Sequence, residues 1–198
     1  MKLLTTIIFI AIGLTAIAQN PPTRKWVDTE VKFTDSVGNV VMVHNSFPKG
    51  GGSYTDAAGT KYSYVIFWFR LINESAAPLE LAMKFPADPI KIFSSPASYI
   101  KLFLPPDTMT HDKIQLNDYG LTNLQSFLKG GFNKPSKLQR TINPKEEYLF
   151  YVPVIFYQAS GTTRAALVLK GKDLFFKIRI TPDVDAVLIP CGRIVYKD

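Results

Sequence analysis

A glycine-rich segment beside a lysine, residues 49–53 (KGGGS), is the first candidate for chemistry, because such loops can bind phosphate. In a phosphate-binding loop of the Walker type, the lysine follows the glycines and a helix comes next, so that backbone N–H groups converge on the anion. Here the lysine precedes the glycines and strand-forming residues follow from Tyr62. We therefore predict that residues 47–63 form a flexible connection between two strands, with no phosphate or dinucleotide site.

The other residues that could support catalysis or metal binding are two histidines and dispersed carboxylates. Neither His44 nor His111 has a histidine or cysteine at the short spacing that metal sites use. No G-x-S-x-G segment occurs, and the distance between two carboxylates cannot be obtained from a single sequence. The sequence therefore predicts no catalytic residue, no metal site and no cofactor. A small secreted hydrolase is kept as an alternative.

The single cysteine, Cys191, lies between apolar residues in the segment AVLIPCGRIVY. A reactive thiol needs nearby cations or a helix N-terminus, and the local sequence offers only Arg193. We therefore predict a buried, unreactive thiol. With one cysteine, the chain cannot form an internal disulfide and must fold on its apolar core.

The segment 62–73 (YSYVIFWFRLIN) is apolar on both of its predicted strand faces. A sheet covered on one side only would carry polar residues on the other. Either the 86–136 segment packs over the second face, which is our default, or the face is an exposed platform for a sugar ring or an apolar partner surface. Under the second hypothesis, the candidate ligand-binding residues are Tyr62, Tyr64, Trp68 and Arg70.

Alternation of apolar and polar residues dominates the chain and predicts eight to ten strands. The predicted strands lie at 30–34, 40–43, 62–73, 79–84, 98–104, 147–157, 164–170, 173–180 and 186–197. One short helix is predicted at 121–129, inside a polar connection from 105 to 136. This pattern predicts an all-β fold, an antiparallel β-sandwich with one short helix in a long inter-strand insertion.

The first eighteen residues, MKLLTTIIFIAIGLTAIA, have the layout of a secretory signal peptide: an early cation, an apolar run and small residues before the cleavage site. We predict cleavage after Ala18, which leaves residues 19–198 as a single domain with no transmembrane segment. The apolar run is short for a membrane anchor. The predicted location is therefore secreted or periplasmic.

The formal net charge of +7 bears on the choice of partner. Such an excess could attract an anionic polysaccharide, lipid or nucleic acid, or it could simply solvate strand edges. The cations are dispersed, without a block of five or more, and we therefore predict no nucleic-acid partner.

The segments FRLINESAAPLEL (69–81) and INPKEEYLFYV (142–152) resemble steps of immunoglobulin-like domains in exported bacterial proteins. The resemblance implies an immunoglobulin-like sandwich, although the 105–136 insertion and the extra C-terminal strands exceed a minimal seven-strand domain. Because this fold serves many functions, it does not identify one. We predict a non-enzymatic binding or assembly role at the cell envelope, with a protein or glycan partner. A carbohydrate-binding module using the aromatic face is the alternative.

Overall fold

A computed structural model describes residues 26–197, and the predicted signal peptide lies outside the described residues. Within them, no helix has the length and apolar character of a membrane span. The elements, in chain order, are β1 (Val27–Thr34), β2 (Val40–Ser46), β3 (Lys49–Thr55), β4 (Lys61–Asn73), β5 (Leu79–Phe85), β6 (Tyr99–Leu102), α1 (Leu124–Gly131), β7 (Ser136–Ile142), β8 (Glu147–Tyr157), β9 (Thr162–Lys170), β10 (Asp173–Thr181) and β11 (Val184–Tyr196).

The strands form two antiparallel sheets that pack face to face. Sheet A has the order β1-β2-β4-β8-β6, with β3 paired to the first half of β4 beyond the end of β2. Sheet B has the order β7-β5-β11-β10-β9. The predicted all-β antiparallel sandwich with one short helix is therefore confirmed.

The main core lies between the two sheets and follows the predicted alternation. Phe67, Phe69 and Leu71 of β4 are fully buried and face the second sheet. From sheet B, Phe176 of β10 packs edge-on against Phe69, with ring centroids 5.9 Å apart. Lys177 on the same strand is exposed, as the period of two predicts.

A third layer lies on the opposite side of sheet A. We call residues 103–135, which connect β6 to β7, the cover segment; it contains two 3₁₀ turns and α1. Its apolar side chains build a second core against the outer face of sheet A. The predicted helix begins three residues later than expected, at Leu124, because Leu121 belongs to the preceding turn, where its N–H bonds to the carbonyl of Asp118.

The prediction of a flexible connection at 47–63 is wrong. Lys49–Thr55 is strand β3, which forms a hairpin with β4 across the turn at 56–60. Gly50 and Gly51 have φ of 118° and 103°, a region that favours glycine, and the register of the hairpin shifts there. The glycines therefore permit a bulge inside a strand, which local composition does not distinguish from a loop.

Strand β7 was not predicted from the sequence. Its residues SKLQRTI are mostly exposed, because it is the edge strand of sheet B and pairs only with β5. Because its own apolar pattern is weak, this segment becomes a strand through its pairing with β5.

The glycine run also makes room for an aromatic side chain. A Cβ at residue 52 would lie 2.6 Å from Cζ of Tyr64, whose hydroxyl donates to Asp118 of the cover segment. We expect Gly52→Ala to lower the free energy of unfolding by about 1–2 kcal/mol, because the ring must turn away and lose that bond. Urea denaturation of both proteins measures the difference.

Gly130→Ala is the matched control, because residue 130 lies in α1 and a Cβ there meets no atom within 4 Å. Alanine at that position should be neutral or stabilising by up to about 1 kcal/mol. Equal destabilisation by the two changes would show that Gly52 has no special packing role.

Candidate functional site

The aromatic second face of sheet A is covered. Tyr62 and Trp68 are 5% and 1% exposed, beneath side chains of the cover segment. The Trp68 ring meets Tyr119 of that segment edge-on, with centroids 6.3 Å apart. The default hypothesis is therefore correct for residues 103–135 and wrong for the start of the 86–136 segment, because Ile90, Ile92 and Phe93 pack against the main core instead. The alternative of an exposed aromatic platform is wrong, because neither Tyr62 nor Trp68 can reach a ligand.

The other candidate residues of that face, Tyr64 and Arg70, are half-buried and contact the cover segment or the sheet. The Tyr64 hydroxyl donates to Asp118 Oδ2 at 3.2 Å. Burial first, and then the charge of Asp118, raise the pKa of this phenol. Both tyrosine and carboxylate thus hold the cover segment in place.

Arg70 belongs to a cluster that unites the two histidines of the chain. Its Nε donates to Glu147 Oε2 at 2.7 Å, His111 Nε2 lies 2.6 Å from Glu147 Oε1, and His44 Nδ1 lies 3.4 Å from Arg70 Nη1. Burial alone would raise the pKa of Glu147, but the bonds from His111 and Arg70 outweigh it and lower that pKa. The cluster fastens the first 3₁₀ turn of the cover segment to sheet A.

No local sequence pattern predicted this cluster, because His44 and His111 come from segments that are distant along the chain. His111 is exposed and hydrogen-bonds a carboxylate, without a hydroxyl or thiol nucleophile in the described network. Within residues 26–197, no three His, Cys, Asp or Glu side chains are grouped closely enough to hold a metal ion.

Lys49, the lysine beside the glycines, has a structural role. Its Nζ donates to the carbonyls of Ile114 and Leu116, at 2.6 and 2.9 Å, and lies 4.1 and 4.4 Å from the ring centroids of Trp26 and Tyr119. Because the ammonium group already contacts these carbonyls and rings, it is not available to bind a phosphate. Lys49 therefore fastens the cover segment to β3.

Lys101 has the equivalent role at the other end of the cover segment. It is 5% exposed and donates to the carbonyl of Phe132 and to Asn133 Oδ1, at 2.9 and 3.1 Å. Burial lowers the pKa of this ammonium group. The helix α1 ends at this point, so the lysine satisfies a carbonyl that the helix leaves unpaired.

Cys191 is buried, as predicted, and its Sγ lies 3.3 Å from the carbonyl of Leu174. Burial raises the pKa of the thiol to about 12, and the thiolate that would react is therefore scarce at neutral pH.

The outer face of sheet B differs from that of sheet A, because no described segment packs across it. The strand register places an excess of cations among its outward positions. The carboxylates at paired positions are Glu80, which bonds Lys197, and Asp173. The cations are Lys84, Lys137, Arg164, Lys170, Lys177, Arg179 and Arg193.

Like charges stand directly opposite each other on this face. Arg164 of β9 pairs with Arg179 of β10, and Lys84 of β5 pairs with Lys137 of β7. Cross-strand pairs of like charge destabilise a sheet. Alternation along 173–180 is enough to place Lys177 and Arg179 on the same face of the strand, but the convergence of cations from different strands required the register.

A recess of about 370 Å³ lies beside the first of these pairs, where sheet B approaches β1. Arg164, Lys177 and Arg179 line it, with Asp28 and the small side chains of Ala166 and Ala186. Arg164 Nε lies 3.8 Å from Asp28 Oδ2, and Arg179 Nε bonds Thr181 Oγ1 at 3.2 Å. Lys177 and the two terminal nitrogens of Arg179 have no hydrogen-bond or ion-pair partner among residues 26–197.

No protein-family model matches this chain, and comparison with curated proteins also finds no match. The candidate site therefore rests on the geometry and charge of the chain itself.

Proposed function

We propose that this protein is an exported, non-enzymatic β-sandwich of immunoglobulin-like type with a binding or assembly role at the cell envelope. The outer face of sheet B is its binding surface, and the partner is anionic. One observation carries this proposal: an uncovered sheet face on which cations outnumber carboxylates and oppose one another across strands. Such a field attracts a polyanion and raises its local concentration.

The aromatic face no longer supports the alternative of a carbohydrate-binding module, because the cover segment fills it. The hydrolase alternative needs a cleft with a nucleophile or a carboxylate pair, and the His111–Glu147 contact is instead part of a clamp with Arg70. A structural clamp and an uncovered basic face favour binding over catalysis. Hydrolytic activity of the purified protein that is lost on His111→Ala would contradict this proposal.

The binding part of the proposal is tested with purified residues 19–198 and envelope fractions from cells that produce the protein. We expect co-sedimentation at low salt that weakens as the ionic strength rises, because exposed charges are screened. Sedimentation that does not respond to salt, or its absence, would contradict an anionic partner.

Export is tested separately by fusing residues 1–25 to a reporter. We expect transport across the membrane and a mature N-terminus at Gln19, read by mass spectrometry. Retention of the intact fusion in the cytoplasm would overturn the proposed location, whatever the binding experiment shows.

A further inference from the structure

We infer that the recess lined by Arg164, Lys177 and Arg179 binds the oxyanion groups of an acidic polysaccharide. This inference rests on the proposed function and names its partner and its contact site. The recess lies on the outer face of sheet B, at the edge next to β1. An anion there would accept hydrogen bonds from more than one cation at once.

The hydrogen-bond donors that line the recess favour an anion as its ligand. The terminal nitrogens of Arg179 are available as a planar fork, which fits a carboxylate, sulfate or phosphate through two parallel bonds. Lys177 supplies a further ammonium group without a partner among the described residues. Ala166 and Ala186 leave the floor open, so that a ligand can approach the strands closely.

The energetics of the free protein point the same way. Arg164 and Arg179 oppose each other directly across the two strands. Arg164 is partly compensated by Asp28 at 3.8 Å, by the carbonyl of Thr163 at 3.0 Å and by the Phe47 ring at 5.1 Å, whereas the terminal nitrogens of Arg179 have no partner among residues 26–197. An anion placed between the guanidinium groups would turn this unfavourable pair into a favourable bridge. The opposed arginines therefore destabilise the free protein, and they would contribute to the affinity once an anion binds between them.

The cations extend beyond the recess, which favours a polymer over a small ion. The position of Asp173 lies about 20 Å along β10 from Arg179 at the usual rise of a strand, and there it is flanked by Lys170 and Arg193. Lys84 and Lys137 add a further pair on the far strands of the sheet. A chain with repeated negative groups can contact several of these positions together.

The chemistry of the face favours a polysaccharide among polyanions. Phe175 is the one aromatic side chain at the paired outward positions of sheet B, and the Lys170 ammonium group lies over its ring at 5.5 Å. Binding of single-stranded nucleic acid needs successive aromatic platforms for the bases. Among residues 26–197, the large apolar side chains that are fully exposed, Val31, Val37 and Leu116, lie elsewhere. The outward apolar side chains of this face, such as Val168 and Leu188, are half-buried between the cations, so we expect charge rather than insertion into a membrane to dominate binding there.

Isothermal titration of residues 19–198 with polygalacturonate, at physiological salt, tests the site. We expect binding by the wild-type protein and a rise of the Kd by about tenfold or more in the double variant Lys177→Gln/Arg179→Gln. The matched control is Lys129→Gln/Lys134→Gln, which removes the same charge from exposed positions of the cover segment. The control should change the Kd by less than about twofold, because screening weakens distant charges.

Three further probes separate the possible ligands. Dextran sulfate in place of polygalacturonate distinguishes a sulfate site from a carboxylate site, and tighter binding of either polymer supports the inference. Single-stranded DNA or phosphatidylglycerol vesicles bound more tightly than both polymers would overturn the assignment to a polysaccharide. An equal loss of affinity in the two double variants would show that only net charge matters.

The melting temperature distinguishes a binding role of Arg179 from a structural one, because removing a residue that only stabilises the fold would lower it. Arg179→Gln should raise the melting temperature of the free protein by about 1–3 °C, because it removes the opposed like charges, while it weakens polysaccharide binding. A lower melting temperature would contradict the inference that the opposed cations destabilise the free protein.

If envelope fractions still sediment with Lys177→Gln/Arg179→Gln as they do with the wild type, this site fails and the proposed function stands. If the wild type binds no envelope fraction, the proposed function fails, and the titration still decides whether the recess binds the polymer.

Discussion

Replacing Trp68 with alanine is expected to lower the free energy of unfolding by about 3–5 kcal/mol, the usual cost of removing a large buried aromatic side chain. Trp68 is 1% exposed and lies between sheet A and the cover segment. Its loss would leave a cavity beneath Tyr119, whose ring meets the indole edge-on. Chemical denaturation, monitored by circular dichroism, measures the change. Tryptophan fluorescence is less suitable, because the variant retains only one of the two tryptophans.

Trp26→Ala is the control for this prediction. Trp26 is half-buried at the margin of the same cluster, so its removal should cost less than that of Trp68. In the variant Trp26→Phe, iodide should quench the fluorescence of Trp68 only weakly. Strong quenching, or equal losses of stability in the two alanine variants, would show that the cover segment does not close over this face in solution.

Asn73→Ala should lower the free energy of unfolding by about 2–4 kcal/mol, although it removes few atoms from the core. Asn73 is fully buried at the end of β4, and its Nδ2 donates to the carbonyls of Ala77 and Ile142, at 2.8 and 3.0 Å. Its Oδ1 accepts from the N–H of Ser75 at 3.1 Å. Alanine would leave these buried groups without partners, which costs more than a hydrogen bond contributes.

The asparagine joins the two sheets, because Ile142 ends β7 in sheet B. Asn73→Asp keeps the volume but replaces the donor with an acceptor facing two carbonyls, so it should destabilise at least as much as alanine. Asn143→Ala, at an exposed asparagine, should cost less than about 1 kcal/mol. Urea denaturation compares the three, and near-wild-type stability of Asn73→Asp would contradict the role of the donor.

Asn73 also shows how far a resemblance between sequences extends. It stands in the segment FRLINESAAPLEL, which resembles a step of exported immunoglobulin-like domains. In the structure this asparagine closes the crossing from sheet A to sheet B through its amide group. The local pattern therefore predicted a strand, a short crossing and another strand. Why that position holds an asparagine became clear only from its hydrogen bond to Ile142 in β7.

The sequence alone determined the fold class and the direction of most side chains. Alternation along β4, β8 and β10 is set by the period of two in a strand, and this property is local. The same local property showed that β4 is apolar on both faces, and hence that another segment or a partner had to cover sheet A. The signal-peptide pattern is likewise local, and export remains a prediction.

Only the tertiary structure decided which surface is closed and which is open. The glycines of β3 and the weak pattern of β7 acquire strand geometry through pairing with β4 and β5, and Lys49 obtains its carbonyl partners from residues more than sixty positions away. The opposition of Arg164 and Arg179 depends on the register of β9 against β10. Hydrogen bonds between distant segments set these relations, and the side chains at either end carry no local sign of the partner they will face.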